Sequence, residues 1–151
     1  MQISRDPFVF CKGNRIEILN EKLYWTGRSI GTGLEVVIQR SNLDGTDVET
    51  ILEGDFLAGG DIQDPRYIEI EESLKMIYWS DGRGIRRADL GGTAEEILFE
   101  ELGGIILGLD IDGDNGRIYF ILLRSGVNKI GSCGIEGQDL SKRSRRISVR
   151  V

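Results

Sequence analysis

The sequence predicts an all-β chain built from about three repeated, four-stranded antiparallel units. Three observations predict it. Aromatic pairs recur as Tyr24-Trp25, Tyr78-Trp79 and Tyr119-Phe120. An x-Gly mark follows each pair, at Leu43-Asp44-Gly45, Leu90-Gly91-Gly92 and Ile135-Glu136-Gly137. Short runs rich in Tyr, Trp, Ile and Val are punctuated by Asn, Asp and Gly, with no helix-period stripe between them.

In the first unit, "RIEILNEKLYWTG" (15–27) reads as strand, tight turn and strand. A polar insert, "RSIGTGLEV" (28–36), leads to a third strand, and "RSNLDGTDVETIL" (40–52) holds the last turn and fourth strand. The second unit repeats this as "RYIEIEESLKMIYWSD" (66–81) and "RADLGGTAEEIL" (87–98), the third as "LGLDIDGDNGRIYF" (107–120) and "GSCGIEGQDL" (131–140). "LDGT" and "LGGT" are expected to be two-residue hairpin turns in which Gly supplies the positive φ. The aromatic pairs lie 54 and 41 residues apart and the x-Gly marks 47 and 45, the first link being stretched by the insert. A period of about 45 residues with four strands is that of a propeller blade. The expected blades are 14–54, 65–100 and 105–151 of one domain, a partial β-propeller. "DPFVFC" (6–11) is a further strand candidate. "RRISVRV" (145–151) alternates Ile147, Val149 and Val151 with Arg146, Ser148 and Arg150, which suits an outer strand of the third blade with its arginines in water.

Composition narrows the function classes. With 151 residues, 40% of them hydrophobic, the chain is long enough for a core, and a net charge of −6 gives it no nucleic-acid footprint. No window is long and apolar enough for a membrane span, and the first residues lack a signal-peptide pattern. Two cysteines, Cys11 and Cys133, are too few for a disulfide framework and read as packing residues, so a cytoplasmic setting is expected. There is no histidine, which excludes Ser-His-Asp and Cys-His catalysis and His-ligated zinc.

The second unit, with "KMIYWSD" followed by "IRRADLGGT", resembles the YWTD repeat, the class B repeat of low-density-lipoprotein receptors; "KLYWTG" and "SNLDGT" of the first unit are similarly close. The resemblance covers roughly residues 14–140. It implies blades of a six-bladed propeller, with the motif on the second strand of each. The motif falls on Tyr24-Trp25-Thr26-Gly27, Tyr78-Trp79-Ser80-Asp81 and Tyr119-Phe120-Ile121-Leu122. The family's Asp is kept only at Asp81, so a network built on it is missing at Gly27 and Leu122. The recurring rings are expected to fill gaps between blades rather than to form a ligand platform.

Three blades leave half a ring, and the end units of a stacked array expose one face each. A fragment of a longer propeller, or an arc with decorated ends, is the first expectation. A homodimer closing a six-bladed ring is the second.

Candidate chemistry is sparse. "DIDGDNGRIYFI" (110–121) spaces Asp110, Asp112 and Asp114 as in a calcium loop, but Asn115 stands where Gly is needed and Ile121 where a bidentate Glu is needed, so a hairpin turn is expected. Glu69 and Glu71 lie two apart on the inner strand of the second blade and share a face, with Glu17 and Asp110 at comparable positions. Such acids would hold a metal in a lactonase-type propeller, to which this fold bears a distant resemblance; a divalent-metal hydrolase is the alternative reading. Other acids, including Asp61, Asp64, Glu72, Glu95, Glu96, Glu100 and Glu101, read as solvated surface. "SKRSRR" (141–146) is expected to be a charged edge strand, and "GTGLEV" (31–36) fails the context of a dinucleotide fingerprint. The leading expectation is a non-enzymatic protein-binding module that needs no cofactor, its protein ligand unspecified by the sequence.

Overall fold

The computed structural model describes residues 17–28, 35–55, 64–81, 84–100, 104–137 and 141–145. They form three four-stranded antiparallel sheets with no helix among them. Blade one holds β1 (Glu17–Leu19), β2 (Lys22–Arg28), β3 (Glu35–Asn42) and β4 (Glu49–Asp55). Blade two holds β5 (Ile68–Glu71), β6 (Met76–Ser80), β7 (Gly84–Asp89) and β8 (Glu96–Glu100). Blade three holds β9 (Gly104–Asp112), β10 (Arg117–Arg124), β11 (Val127–Gly134) and β12 (Ser141–Arg145). Each sheet is a meander in sequence order, and β1, β5 and β9 adjoin one another as the inner strands. The aromatic pairs fall on β2, β6 and β10, the second strand of each blade.

Two adjacent residues of a strand point to opposite faces, and this splits the Tyr78-Trp79 pair between two cores. Tyr24 and Trp79 bury in the core between blades one and two, with Leu19, Val36, Ile38, Ile68 and Ile77. Tyr78 and Phe120 bury in the core between blades two and three, with Ile85, Phe99, Ile106, Leu109 and Ile118. Tyr24 and Tyr78 thus face the following blade, and Trp79 and Phe120 the preceding one. Trp79 has no exposed surface, which makes it a packing element rather than a platform. Its indole N–H finds no partner there.

The x-Gly turns differ from the expected two-residue hairpins. Six residues separate β3 from β4, and six separate β7 from β8. Within each, the Gly N–H bonds back three residues: Gly45 to Asn42, Gly92 to Asp89 and, in blade three, Gly137 to Gly134. A second residue with positive φ follows in the first two, Asp47 and Ala94. The extra length carries the blade-two loop onto blade one, and the blade-three loop likewise reaches blade two. A β-bulge in each outer strand meets it there. In β4 the ladder skips Ile51, and in β8 it skips Leu98. Gly92, at φ +81°, lies so close to Ile51 that a Cβ would stand 2.7 Å from its Cγ2, and Gly137 packs on Leu98 in the same way.

The outer strand of blade three is β12 (Ser141–Arg145), which falls on the "SKRSR" stretch expected as an edge strand. Residues 146–151, the strand candidate at 6–11, Cys11, Asp61, Glu101 and the glycines of 31–34 lie outside the described residues.

Candidate functional site

One cross-strand rung recurs at matching register in every blade. Opposite residues of antiparallel strands share a face. The rungs are Glu17–Tyr24–Arg40, Glu69–Tyr78–Arg87 and Asp110–Tyr119–Ser132. Glu17, Glu69 and Asp110 therefore occupy equivalent positions, but on the face of the tyrosines, which looks toward the following blade. They do not gather at a common centre. Among the described residues no three acidic or thiol side chains come together to hold a metal ion. Glu71 shares the face of Glu69, its carboxylate lying against Gly113 of blade three and accepting from Ser73 Oγ at 2.7 Å.

Asp110, Asp112 and Asp114 are likewise dispersed. Asp110 sits on β9 opposite Tyr119, whereas Asp114 is in the turn that joins β9 to β10. Asp112 accepts from Asn115 N at 3.1 Å and Asn115 Nδ2 at 2.8 Å, and Gly116 N bonds Gly113 O. The stretch is the expected hairpin turn, closed by the asparagine that stands where a calcium loop needs glycine.

The arginines of the rungs have a role that the motif did not suggest. Arg40 pairs with Glu49 at 2.7 Å and donates to the Leu90 carbonyl of blade two at 3.2 Å. Arg87 pairs with Glu96 at 2.7 Å and donates to the Ile135 carbonyl of blade three at 3.1 Å, a carbonyl that Tyr78 Oη also reaches. Each arginine clamps the x-Gly loop of the next blade. The Glu49 hydrogen bond raises the Arg40 pKa, and in Arg87 the Glu96 and Tyr78 bonds outweigh the cost of burial. In blade three the position is Ser132, which accepts from Arg117 at 2.6 Å, so no clamp faces outward there.

At the opposite end of the blades, Asp64 accepts from Arg28 of blade one at 2.8 Å and from Arg66 at 2.9 Å. Thr26 Oγ1 donates to the Arg66 carbonyl, a second tie between the blades. Asp81, the retained motif acid, is buried and accepts from Gly84 N at 2.9 Å and from Arg86 Nε, while Arg86 also reaches Glu95 at 3.0 Å. Asp81 thus braces the β6–β7 link of its own blade. Cys133 is a buried free thiol whose pKa burial pushes up to about 11, which leaves it protonated and unreactive at neutral pH.

The end carrying the β1–β2 and β3–β4 turns and their equivalents is acidic. Asp44, Asp47, Glu49, Glu72, Asp114 and Glu136 are exposed there, and so are the apolar Leu43, Val48 and Leu74.

No family model matches the chain. A solved nidogen structure, from a nidogen/laminin complex, superposes with a TM-score of 0.63 at 23% identity, covering 80% of this chain and 43% of that one. A putative TolB from Agrobacterium tumefaciens superposes with a TM-score of 0.60 at 11% identity, covering 79% of this chain and 43% of that one. The chain thus spans less than half the length of either. Both are β-propellers, and the three blades described above share that fold.

Proposed function

We propose that the chain is a non-enzymatic protein-interaction module of YWTD-type repeats that binds a basic polypeptide surface through its turn end. The observation that carries this reading is the composition of that end, where Val48 and Leu74 stand exposed among Asp44, Asp47, Glu72 and Asp114. Apolar residues set among charges that are mostly acidic, with Lys75 the exception beside Leu74, suit a protein partner of opposite charge. The motif on every second strand supports the YWTD assignment, and the nidogen structure of similar fold comes from a complex of two proteins. The loops of the turn end are held by the scaffold rather than by a partner, which leaves their tips free for contact.

The test is affinity capture by the wild-type chain, by a Glu72→Lys/Leu74→Ser/Asp114→Lys variant, and by an Ile97→Ser control on β8. The proposal expects a set of basic proteins to be retained by wild type and control, released by salt, and lost by the triple variant with its circular dichroism unchanged. Equal retention by all three chains would contradict it.

A further inference from the structure

The two ends of the arc carry the two halves of a joint that the chain makes twice within itself. In each internal joint a tyrosine of one blade is sealed by the next, and the x-Gly loop of that next blade docks back on the first. Tyr24 and Tyr78 are 3% and 0% exposed in these joints, whereas Tyr119 at the equivalent position on blade three is 44% exposed. Around Tyr119, on the same face, stand Ile105, Ile121 and Ile130, all exposed, with Ile121 directly opposite Ile130. The loop half shows the same contrast. Ile135 is 8% exposed and Leu90 packs against the core between blades one and two, but Leu43 is 52% exposed. A Cβ on Gly92 would meet Ile51 and one on Gly137 would meet Leu98, while one on Gly45 would meet nothing within 4 Å.

From this equivalence we infer that blade three receives blade one of a second copy, head to tail, and that the reciprocal contact closes three blades with three into one ring. The occupant is specified by the internal joints. What covers Tyr24 and Tyr78 is a blade face bearing a large ring and an x-Gly loop, and among the described residues blade one presents another such face, with Trp25 in the register of Trp79 and Leu43 following β3 as Leu90 follows β7. A two-fold axis makes both contacts identical and pairs both end faces of the described arc. Ser132 replaces the clamping arginine, so the joint between copies rests on apolar burial at Tyr119, Ile121, Ile130 and Leu43 rather than on a bond to the Leu43 carbonyl. The joint takes Leu43 from the turn end, whereas the variant that tests the proposed function changes Glu72, Leu74 and Asp114 on the other two blades, so failure of one reading is distinguishable from failure of the other.

The test is the solution mass of the full chain and of two variants, Ile121→Asp on the blade-three half and Leu43→Asp on the blade-one half. Both residues are exposed in the single chain, so both variants should fold, which circular dichroism checks. Wild type is expected at twice its 16.9 kDa. Each variant alone is expected as a single chain, its dissociation constant raised about 30-fold or more. An equimolar mixture of the two regains a pair, because one blade-three half and one blade-one half remain intact. Wild type as a single chain at all concentrations would overturn the inference. A Leu43→Asp variant that still pairs would also overturn it, by placing blade three against blade three, and so would growth of wild type into open polymers.

Discussion

Arg87 of blade two donates to the Ile135 carbonyl of blade three at 3.1 Å, and one blade earlier Arg40 makes the same reach to Leu90 at 3.2 Å. The glutamate partners of both arginines are more than half exposed and contribute little. The bond to a neighbouring blade's carbonyl is the one that matters. Arg87→Met should cost about 1.5–3 kcal/mol, the range for a charge-assisted bond, measured as a shift of the urea midpoint at constant slope. Arg40→Met should cost less, since its side chain is the more exposed of the two. Glu96→Gln should stay within about 1 kcal/mol.

Gly92 and Gly45 share a backbone conformation, φ +81° and +80°, but differ in what surrounds them. Gly45→Ala should cost only the strain of a left-handed residue, about 1–2 kcal/mol. Gly92→Ala adds a clash with Ile51 of blade one and should cost clearly more. Equal costs, read by thermal unfolding, would mean that the blade-two loop does not dock on blade one.

Trp79 and Trp25 are motif equivalents at different depths, Trp79 buried and Trp25 half-buried. Trp79→Ala should cost about 3–5 kcal/mol, enough to abolish cooperative unfolding in a marginally stable domain. Trp25→Ala should leave a folded chain. Trp79→Phe should be milder than Trp79→Ala, because it removes the buried N–H that has no acceptor while keeping an aromatic ring in the core. Near-ultraviolet circular dichroism and a melting curve would separate the three.

Asp89 and Asp44 accept from the threonines four and two residues on, Thr93 and Thr46, and these bonds hold both carboxyl pKa values down. A depressed folded pKa means stability present above the unfolded value, about 3.9, and lost as pH falls through the folded one. Unfolding free energy should therefore decline below about pH 4, and Asp89→Asn should flatten that decline while lowering stability at neutral pH. An unchanged acid slope in the variant would exclude Asp89 as a source.

Much of the architecture was legible because blades repeat. Runs rich in Tyr, Trp, Ile and Val around Tyr24-Trp25 and Tyr78-Trp79 placed the second strands, and Asn, Asp and Gly marked the turns. The loop at Leu43-Asp44-Gly45 misled because its local sequence is that of a short hairpin, while its real length answers to a bulge at Ile51 or Leu98 on another blade, a contact that local pattern does not encode. Glu17, Glu69 and Asp110 were read at equivalent positions, as they are, but their pairing with tyrosines turns them between blades rather than into one centre. The clamping arginines were missed because the insert after Tyr24 puts Arg40 at a different offset from that of Arg87 after Tyr78. Their common signal, an arginine three residues before the leucine of the first two x-Gly marks (Arg40 before Leu43, Arg87 before Leu90), becomes visible only after the blades are superposed.

The central claim, that adjacent blades are locked face to face by rings from each, is tested most directly at Phe99 and Phe120. Their centroids lie 4.8 Å apart, with planes tilted by 35°, across the joint between blades two and three. A double-mutant cycle with Phe99→Leu and Phe120→Leu, read by chemical unfolding, should return a coupling of about 0.5–1.5 kcal/mol. Strict additivity, with a coupling near zero, would mean that blades two and three do not meet through these rings and would contradict the account.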